Sequence, residues 1–383
     1  MVNKGAQAMT LIAVNEIRRR YPDHRVYLYS PVDIENKKLD RSVFSFEFTG
    51  WYPLKFARCQ KNPLLRAVTM LRNRRELLEA EDIYRNTDAI IDISGFALGS
   101  DWDKKICSDF LDVIEFADGF GIPVYLMPQS FGPFDFGVAH GGIDERCRRL
   151  LPKVKKILAR EKEGYDALVS TYGLTNVELC PDLVLNNKGI DLANVYKDIP
   201  DIDLPPIEKG SIAVIPNGRN LSVGNSDEVI DLYCAAIAHA LGKGRSVYLL
   251  HHSTGDADIC ALLKKRFADD DRVVLLSREF SCVEFNELVK QFDYLVASRF
   301  HSIVHAFKNA VPCITLGWAK KYDELLALFS QSDYLFDVRT SPRAEDICAA
   351  IDRMDESRDA ESEKIRMGLS AVQENNVFDI IEL

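Results

Sequence analysis

The sequence predicts an α/β protein with two domains, each built around a parallel sheet. Short apolar runs rich in Val, Ile and Tyr alternate with segments of helical period, which is the pattern of βαβ units. The length of 383 residues suffices for two or three domains that bury their own cores. Residues 186–210 hold three prolines and many acids but little periodicity, so they predict a linker between domains at 1–185 and 211–383.

Ten short apolar runs carry the strand prediction, because each is rich in β-branched or aromatic residues. They lie at residues 26–30, 89–93, 124–127, 156–158, 177–180, 211–215, 247–250, 273–276, 294–297 and 313–316. Ligands of such sheets bind at the carboxyl ends of the strands. Two Rossmann-like domains that face each other would therefore enclose a binding cleft.

Helices are predicted where apolar residues recur every three to four positions. In residues 6–20 the apolar side chains from Met9 to Ile17 share one face, and residues 282–292 show the same spacing. A last helix is expected at about 360–375, where it can pack back on the N-terminal domain.

Composition excludes several classes of protein. The net charge of −10 argues against a nucleic-acid binder. The nine cysteines are scattered without a CxxC pair, which argues against a disulfide framework and against a zinc site. No apolar run reaches the ~18 residues of a membrane span, and residues 1–20 lack the apolar region of a signal peptide. We therefore expect a reduced, cytoplasmic protein.

The first loop is a candidate anion site. Asn3 and Lys4 precede Gly5 at the start of a helix, where free N–H groups and a side-chain donor suit a phosphate or carboxylate. An ordinary helix start is the alternative. Only Met1 and Val2 precede this loop, so we expect the opening strand of a Rossmann-like unit to be encoded upstream or to be absent.

Two further polar residues follow predicted strands of the N-terminal domain. Gln129 comes directly after 124–127 and can offer hydrogen bonds to a ligand. Arg160 follows 156–158, where a guanidinium can grip an oxyanion with two hydrogen bonds. The alternative for Arg160 is a surface ion pair with Glu163, three residues further on.

The strongest constellation lies in the C-terminal domain. Arg299 and His301 follow the strand at 294–297 and open a helix, and Lys321 follows the strand at 313–316. Cations that converge on adjacent strand ends in an acidic protein predict a site for a multiply charged anion. His301 has the intrinsic pKa of a proton-transfer group. In the alternative, His301 is a helix residue and Arg299 a surface charge.

The same edge carries His252 after 247–250, and Asn217 and Arg219 after 211–215. We expect these side chains to add polar contacts to the cleft. A metal site is the poorer interpretation, because the pair His251-His252 has no third ligand at suitable spacing. The patterns of standard serine hydrolases, P-loop NTPases and zinc proteases are absent from the sequence.

Six blocks in serial order resemble the polysaccharide pyruvyl transferase family. They read NKGAQAM at 3–9, DAIIDISG at 88–95, PQSFGPF at 128–134, AREKEG at 159–164, CPDLVL at 180–185 and SRFHSIVHAFKNAVPCITLGWAKKYDELL at 298–326. The resemblance implies a fold like that of GT-B glycosyltransferases. It also implies transfer of the pyruvyl unit of phosphoenolpyruvate onto a sugar as a cyclic ketal.

By the same resemblance, Arg299 and His301 correspond to the Arg/His pair of the family, Lys321 to its lysine and Arg160 to its mid-chain arginine. We expect His301 to act as general acid or base and the cations to bind phosphoenolpyruvate, without a metal or cofactor. Asp182 and His252 are lesser candidates for the acceptor side. The alternatives are a nucleotide-sugar-dependent GT-B glycosyltransferase and a sugar- or anion-binding protein without turnover.

Residues 55–75 contain seven Lys and Arg residues and no acid. Apolar residues from Leu64 to Leu71 lie among them at helical spacing. Such a segment can lie peripherally on an anionic membrane and bring the cleft to a lipid-linked sugar acceptor. The alternative is an amphipathic helix whose apolar stripe packs on the N-terminal domain.

Overall fold

Parallel sheets organise both halves of the computed structural model, which describes residues 3–37, 39–50 and 53–383. The N-terminal half contains the strands β1 (Tyr27–Tyr29), β2 (Glu47–Thr49), β3 (Ile90–Asp92), β4 (Phe96–Leu98), β5 (Val124–Phe131), β6 (Lys156–Ala159) and β7 (Val177–Leu179). Its helices are α1 (Lys4–Arg20), α2 (Pro31–Glu35), α3 (Pro53–Lys61), α4 (Pro63–Arg72), α5 (Arg74–Arg85), α6 (Lys104–Phe120), α7 (Ile143–Leu150), α8 (Lys162–Tyr172) and α9 (Leu183–Asn186).

The C-terminal half alternates strands and helices more regularly. Its strands are β8 (Ile212–Ile215), β9 (Val247–Leu250), β10 (Val273–Leu276), β11 (Leu295–Ala297), β12 (Cys313–Gly317) and β13 (Leu335–Asp337). Its helices are α10 (Gly218–Val223), α11 (Ser226–Gly242), α12 (Ala257–Arg266), α13 (Cys282–Val289), α14 (Phe300–Lys308), α15 (Lys320–Leu328) and α16 (Ala344–Val372).

The two large sheets are parallel throughout. The N-terminal sheet has the order β3-β5-β6-β7, with β4 pairing with β5, and the C-terminal sheet has the order β10-β9-β8-β11-β12-β13. The strands β1 and β2 form a separate parallel pair. Crossover helices cover the sheets, so the central strands are buried on both faces and consist almost wholly of apolar residues.

All ten predicted strands are confirmed, and the strand predicted at 124–127 continues to Phe131. The missed strands β2, β4 and β13 have three residues each, which is too short to show a periodic pattern. The expected opening strand falls on Met1 and Val2, which lie outside the described residues.

Three helix predictions need correction at their ends. The last helix was expected at 360–375, but α16 begins at Ala344 because its first half buries Ile351 and Met354 against α11. The helix expected at 282–292 ends at Val289. The first helix begins at Lys4 rather than at residue 6, since the side chain of Asn3 caps it.

The two halves share a continuous core. Helix α1 packs against α13 and α14 of the C-terminal half. The chain beyond α16 returns to α1, where the hydroxyl of Tyr21 donates to the carbonyl of Ile381 (2.6 Å). Within 186–210, the backbone N–H of Lys197 donates to the carbonyl of Val43 (2.9 Å), so this segment is anchored to the N-terminal half.

The apolar stripe of α4 does not pack on the N-terminal domain, so that expectation is wrong. No residue of α4 is buried, and Leu64 and Leu71 are 80% and 88% exposed. Within the described ranges, no helix is long and apolar enough to cross a bilayer.

Candidate active site

The carboxyl ends of strands from both sheets meet at the junction of the two halves. The charged and titratable residues that the structure brings together there are Arg160, Asp182, Arg299, His301 and Lys321. Phe300 lies between them, because the guanidinium of Arg160 and the Nζ atom of Lys321 approach its ring centroid to 4.4 and 5.6 Å. The site therefore draws on both sheets.

His301 presents a buried imidazole in the first turn of α14. Its Nε2 atom has no hydrogen-bond partner among the described residues, and the Oδ2 atom of Asp182 lies 3.7 Å away, which is too long for a hydrogen bond. Burial, followed by the positive charges of Arg160 and Lys321, lowers the pKa of His301 to about 3. The ring is therefore neutral at physiological pH.

Gly5 fixes the place of that ring. A Cβ atom at residue 5 would lie 2.4 Å from both Cγ and Nδ1 of His301, well inside contact distance. Only a residue without a side chain allows α1 to approach α14 this closely. Gly5 is thus a positioning residue that the sequence pattern marked only as part of a loop.

Arg160 is buried and held by carboxylates. Its Nε atom donates to Glu161 (2.7 Å), its Nη1 atom donates to Asp182 (3.1 Å), and its Nη2 atom donates to Ser130 (2.8 Å). Burial lowers the pKa of the guanidinium, but the two carboxylates outweigh it and raise the pKa. The expected alternative pair with Glu163 is wrong. Each terminal nitrogen keeps one hydrogen for a ligand.

Aromatic rings surround the ammonium group of Lys321. The Nζ atom lies 5.4–5.9 Å from the ring centroids of Trp318, Phe300, Tyr322 and Phe96. Burial and the charge of Arg160 lower the pKa of Lys321 to about 8, although Glu161 opposes this. An anion beside Lys321 would raise this pKa towards its usual value.

Arg299 is oriented by a carboxylate that the sequence analysis did not identify. The Nε and Nη2 atoms of Arg299 both donate to the fully buried Asp256 (2.7 Å each). Asp256 also accepts a hydrogen bond from the backbone N–H of Gly218 (2.9 Å). This fork fixes the guanidinium and leaves its Nη1 atom to a ligand. Arg299 is thus not an isolated surface charge.

Two more histidines lie behind His301. The ring of His252 is nearly parallel to that of His301, with centroids 6.5 Å apart, and His305 lies 6.4 Å from His252. Burial and the neighbouring histidines hold the pKa of His252 and of His305 well below the usual value. The Nε2 atoms of both rings have no hydrogen-bond partner in the described part of the chain.

Asn3 and Lys4 are engaged within the protein. The Oδ1 atom of Asn3 accepts from the backbone N–H groups of Gly5 and Ala6 (2.9 and 3.3 Å), which caps α1. The Nζ atom of the buried Lys4 donates to two backbone carbonyls beyond β9 (3.2 Å each). Asn3 thus serves as the cap of α1, and Lys4 joins α1 to the loop after β9.

The other sequence-predicted residues are spread around the junction. Asn217 caps α10 and donates to the backbone carbonyl just beyond β11 (3.1 Å). Arg219 is exposed and stacks over Trp318 at 5.5 Å. The amide nitrogen of Gln129 donates to Asp92 (3.0 Å), and its buried Oε1 atom has no partner among the described residues.

No sequence feature singled out Ser130, Glu161 or Phe300, although each lies within one of the six blocks quoted above. Across the described residues, no group of three or more His, Cys, Asp or Glu side chains is arranged to hold a metal ion. The arrangement instead suits a small polyanion, held by cations beside a neutral proton acceptor.

A model of the polysaccharide pyruvyl transferase family matches residues 3–320. The chain belongs to this family. The match includes Arg160, Arg299 and His301 and ends just before Lys321. No curated protein matches the sequence of this family member.

Solved structures resemble this pyruvyl transferase in fold. The MnaA–UDP structure from S. aureus superposes with a TM-score of 0.56 at 8% identity, over 97% of this chain and 89% of that chain. UDP-GlcNAc 2-epimerase from Methanocaldococcus jannaschii gives 0.54 at 11% identity, over 90% and 88%. The glycotransferase of kitacinnamycin gives 0.53 at 12% identity, over 97% and 93%. The fold is that of two Rossmann-like domains in a GT-B-like arrangement.

The three buried histidines predict a loss of stability in mild acid. Their pKa values are lowered in the folded state, so the unfolded chain binds more protons than the folded chain as the pH falls below about 6.5. The free energy of unfolding should fall through this window, by about 1.4 kcal/mol per pH unit for each histidine that remains neutral. Urea unfolding at pH 7.5 and at pH values down to about 5 measures it.

Replacing His252 or His305 with Asn should make this pH dependence shallower. His24→Gln, outside the cluster, serves as the matched control and should leave the dependence as in wild type. A dependence that is equally steep in the His252 and His305 variants would contradict the assignment of neutral rings.

Proposed function

We propose that this chain transfers the pyruvyl unit of phosphoenolpyruvate to two hydroxyl groups of a sugar, forming a cyclic ketal and releasing phosphate. The observation that carries the proposal is the junction of Arg160, Arg299 and Lys321 around the neutral ring of His301. Phosphoenolpyruvate is a small molecule with a carboxylate and a phosphate, so its two anionic groups can be shared among the three cations.

The three cations differ in what they offer the donor. Arg299 is locked by Asp256 with Nη1 left over, which suits a fixed hydrogen bond to an oxyanion. The ammonium group of Lys321 is a compact positive charge on a flexible side chain. Such a group suits a phosphate, because the negative charge of the phosphate grows as it leaves. Arg160 is the most rigid of the three, because its carboxylate partners hold it in place.

The charges near His301 determine the role that we assign to it, because they set the pKa of its ring. At about 5 Å and an effective dielectric constant of about 20, one negative charge stabilises an imidazolium by about 3 kcal/mol, or about 2 pKa units. Two or three charges of bound phosphoenolpyruvate would raise the pKa of His301 from about 3 to near neutrality. The ring then becomes protonated when the donor binds, and it can act as a general acid.

The proposed reaction balances as follows. His301 gives its proton to C3 of phosphoenolpyruvate, which becomes a methyl group, and the first hydroxyl oxygen bonds to C2. That hydroxyl returns its proton to His301. The C2–O bond to phosphate then breaks, the second hydroxyl oxygen bonds to C2, and its proton leaves on hydrogen phosphate. Cations beside the leaving oxygen stabilise the charge that develops there.

We place the acceptor beside Lys321, where the ammonium group lies near the rings of Trp318 and Phe96. The guanidinium of Arg219 lies over the ring of Trp318. On the N-terminal side, the rings of Phe96 and Trp102 pack edge to face. Aromatic faces of this kind suit the apolar face of a sugar ring. A saccharide, soluble or linked to lipid, is therefore the proposed second substrate.

Activity is tested by incubating the protein with phosphoenolpyruvate and a panel of galactosyl, mannosyl and glucosyl acceptors. We expect phosphate release that depends on the acceptor, and a product that carries one pyruvyl ketal. His301→Gln should lower turnover by about 100-fold or more while the fold persists. Turnover of a nucleotide sugar without use of phosphoenolpyruvate would instead support glycosyl transfer.

Gly5→Ala tests the placement of His301 without altering any charged group. The added methyl group overlaps the imidazole, so turnover should fall by at least about tenfold through displacement of the ring. The matched control is Gly119→Ala, whose Cβ meets no heavy atom within 4 Å. Wild-type turnover in Gly5→Ala would contradict the placement.

A further inference from the structure

Helix α4 turns its apolar face to solvent. Leu64 and Leu71 are 80% and 88% exposed, and Val68 between them is 47% exposed. These residues stand at i, i+4 and i+7, so they form one stripe along the helix. Arg66 and Met70, on the opposite side, are half-buried. An amphipathic helix on a protein surface usually buries its apolar side, whereas α4 exposes it.

Contacts within the described part of the protein do not explain the apolar face of helix α4. Among the described residues, only its neighbours α3 and α5 make substantial contact with it, and ten residues make a marginal helix on their own. Three large aliphatic side chains in one stripe form a contiguous exposed patch rather than scattered single residues. The stripe therefore indicates a partner that covers it.

Positive charge surrounds the stripe. Seven Lys and Arg residues and no acid occur within 55–75, in a chain of net charge −10. Arg66 pairs with Glu81 (2.8 Å), but Arg72, Arg74 and Arg75 have no ion-pair partner among the described residues. The partner must then accept aliphatic side chains and supply negative charge around them.

We infer that α4 docks on the surface of an anionic lipid bilayer. The stripe of Leu64, Val68 and Leu71 would enter the boundary between headgroups and acyl chains, while Arg72, Arg74 and Arg75 bind the phosphates. An apolar stripe and a basic patch together supply the two signals that stable peripheral attachment requires. This surface is separate from the cation junction and does not depend on the reaction proposed there.

A second copy of this chain fits less well. If the same face paired with itself around a twofold axis, the cations of 55–75 would face those of the other copy. Like charges at close range oppose such an interface. An anionic bilayer offers an apolar acyl-chain region and negatively charged headgroups at the same surface.

The test is sedimentation with vesicles, at low and high salt. One vesicle is phosphatidylcholine alone, and the other contains phosphatidylcholine and phosphatidylglycerol in equal amounts. We expect the wild type to bind the anionic vesicles and to lose binding at high salt. The triple variant Arg72→Gln, Arg74→Gln, Arg75→Gln should bind about 100-fold more weakly. The pair Leu64→Ser, Leu71→Ser should bind at least about tenfold more weakly.

Matched controls remove the same charges and the same apolar residues elsewhere. They are Lys265→Gln, Arg266→Gln, Arg272→Gln in one chain and Leu262→Ser, Leu328→Ser in another, and both should bind like the wild type. Absence of wild-type binding at low salt would overturn the inference, as would unchanged binding in the α4 variants. A dimer in solution that Leu64→Ser, Leu71→Ser dissolves would assign the stripe to a second copy and would also overturn it.

Discussion

The carboxylate of Asp182 links the two halves of the site. Its Oδ1 atom accepts from the backbone N–H of Val184 and begins α9, while Oδ2 accepts from Arg160 and faces the Nε2 atom of His301. One buried carboxylate thus joins a loop of the N-terminal sheet to a helix of the C-terminal sheet. Since Arg160 also stacks on Phe300, removal of this anion would leave a buried guanidinium short of a partner against the opposite domain.

The nearby carboxylates bind the two arginines of the junction and leave Lys321 without an ion-pair partner among the described residues, and this sets the chemistry of the junction. Arg160 and Arg299 have carboxylate partners, but Lys321 has aromatic rings instead, and burial lowers the pKa of both Lys321 and His301. Each negative charge that enters the junction would raise the pKa of both groups, and two or three charges would make His301 an imidazolium. Binding of the donor and supply of the proton are therefore one event in the proposed reaction.

Much of this could be predicted from the sequence, because parallel strands place their carboxyl ends on one edge. That rule and the family resemblance located Arg160, Arg299, His301 and Lys321 without a structure. The rule could not find Asp256, which follows β9 and so lies two strands away from β11 in the sheet, since a fork of hydrogen bonds depends on tertiary distance. Nor could it show that Gly5 makes room for an imidazole about 300 positions away, because close packing of helices leaves no local pattern.

Burial, together with the cations of the junction, keeps His301 neutral until an anionic donor binds. Nitrogen NMR of protein labelled with ¹⁵N-histidine tests it directly at neutral pH, with the His301 signals assigned by their loss in His301→Gln. We expect a neutral ring in the free protein and an imidazolium once phosphoenolpyruvate saturates the site. A ring that stays neutral with the donor bound, or a ring already charged in its absence, would rule out His301 as a donor-dependent acid.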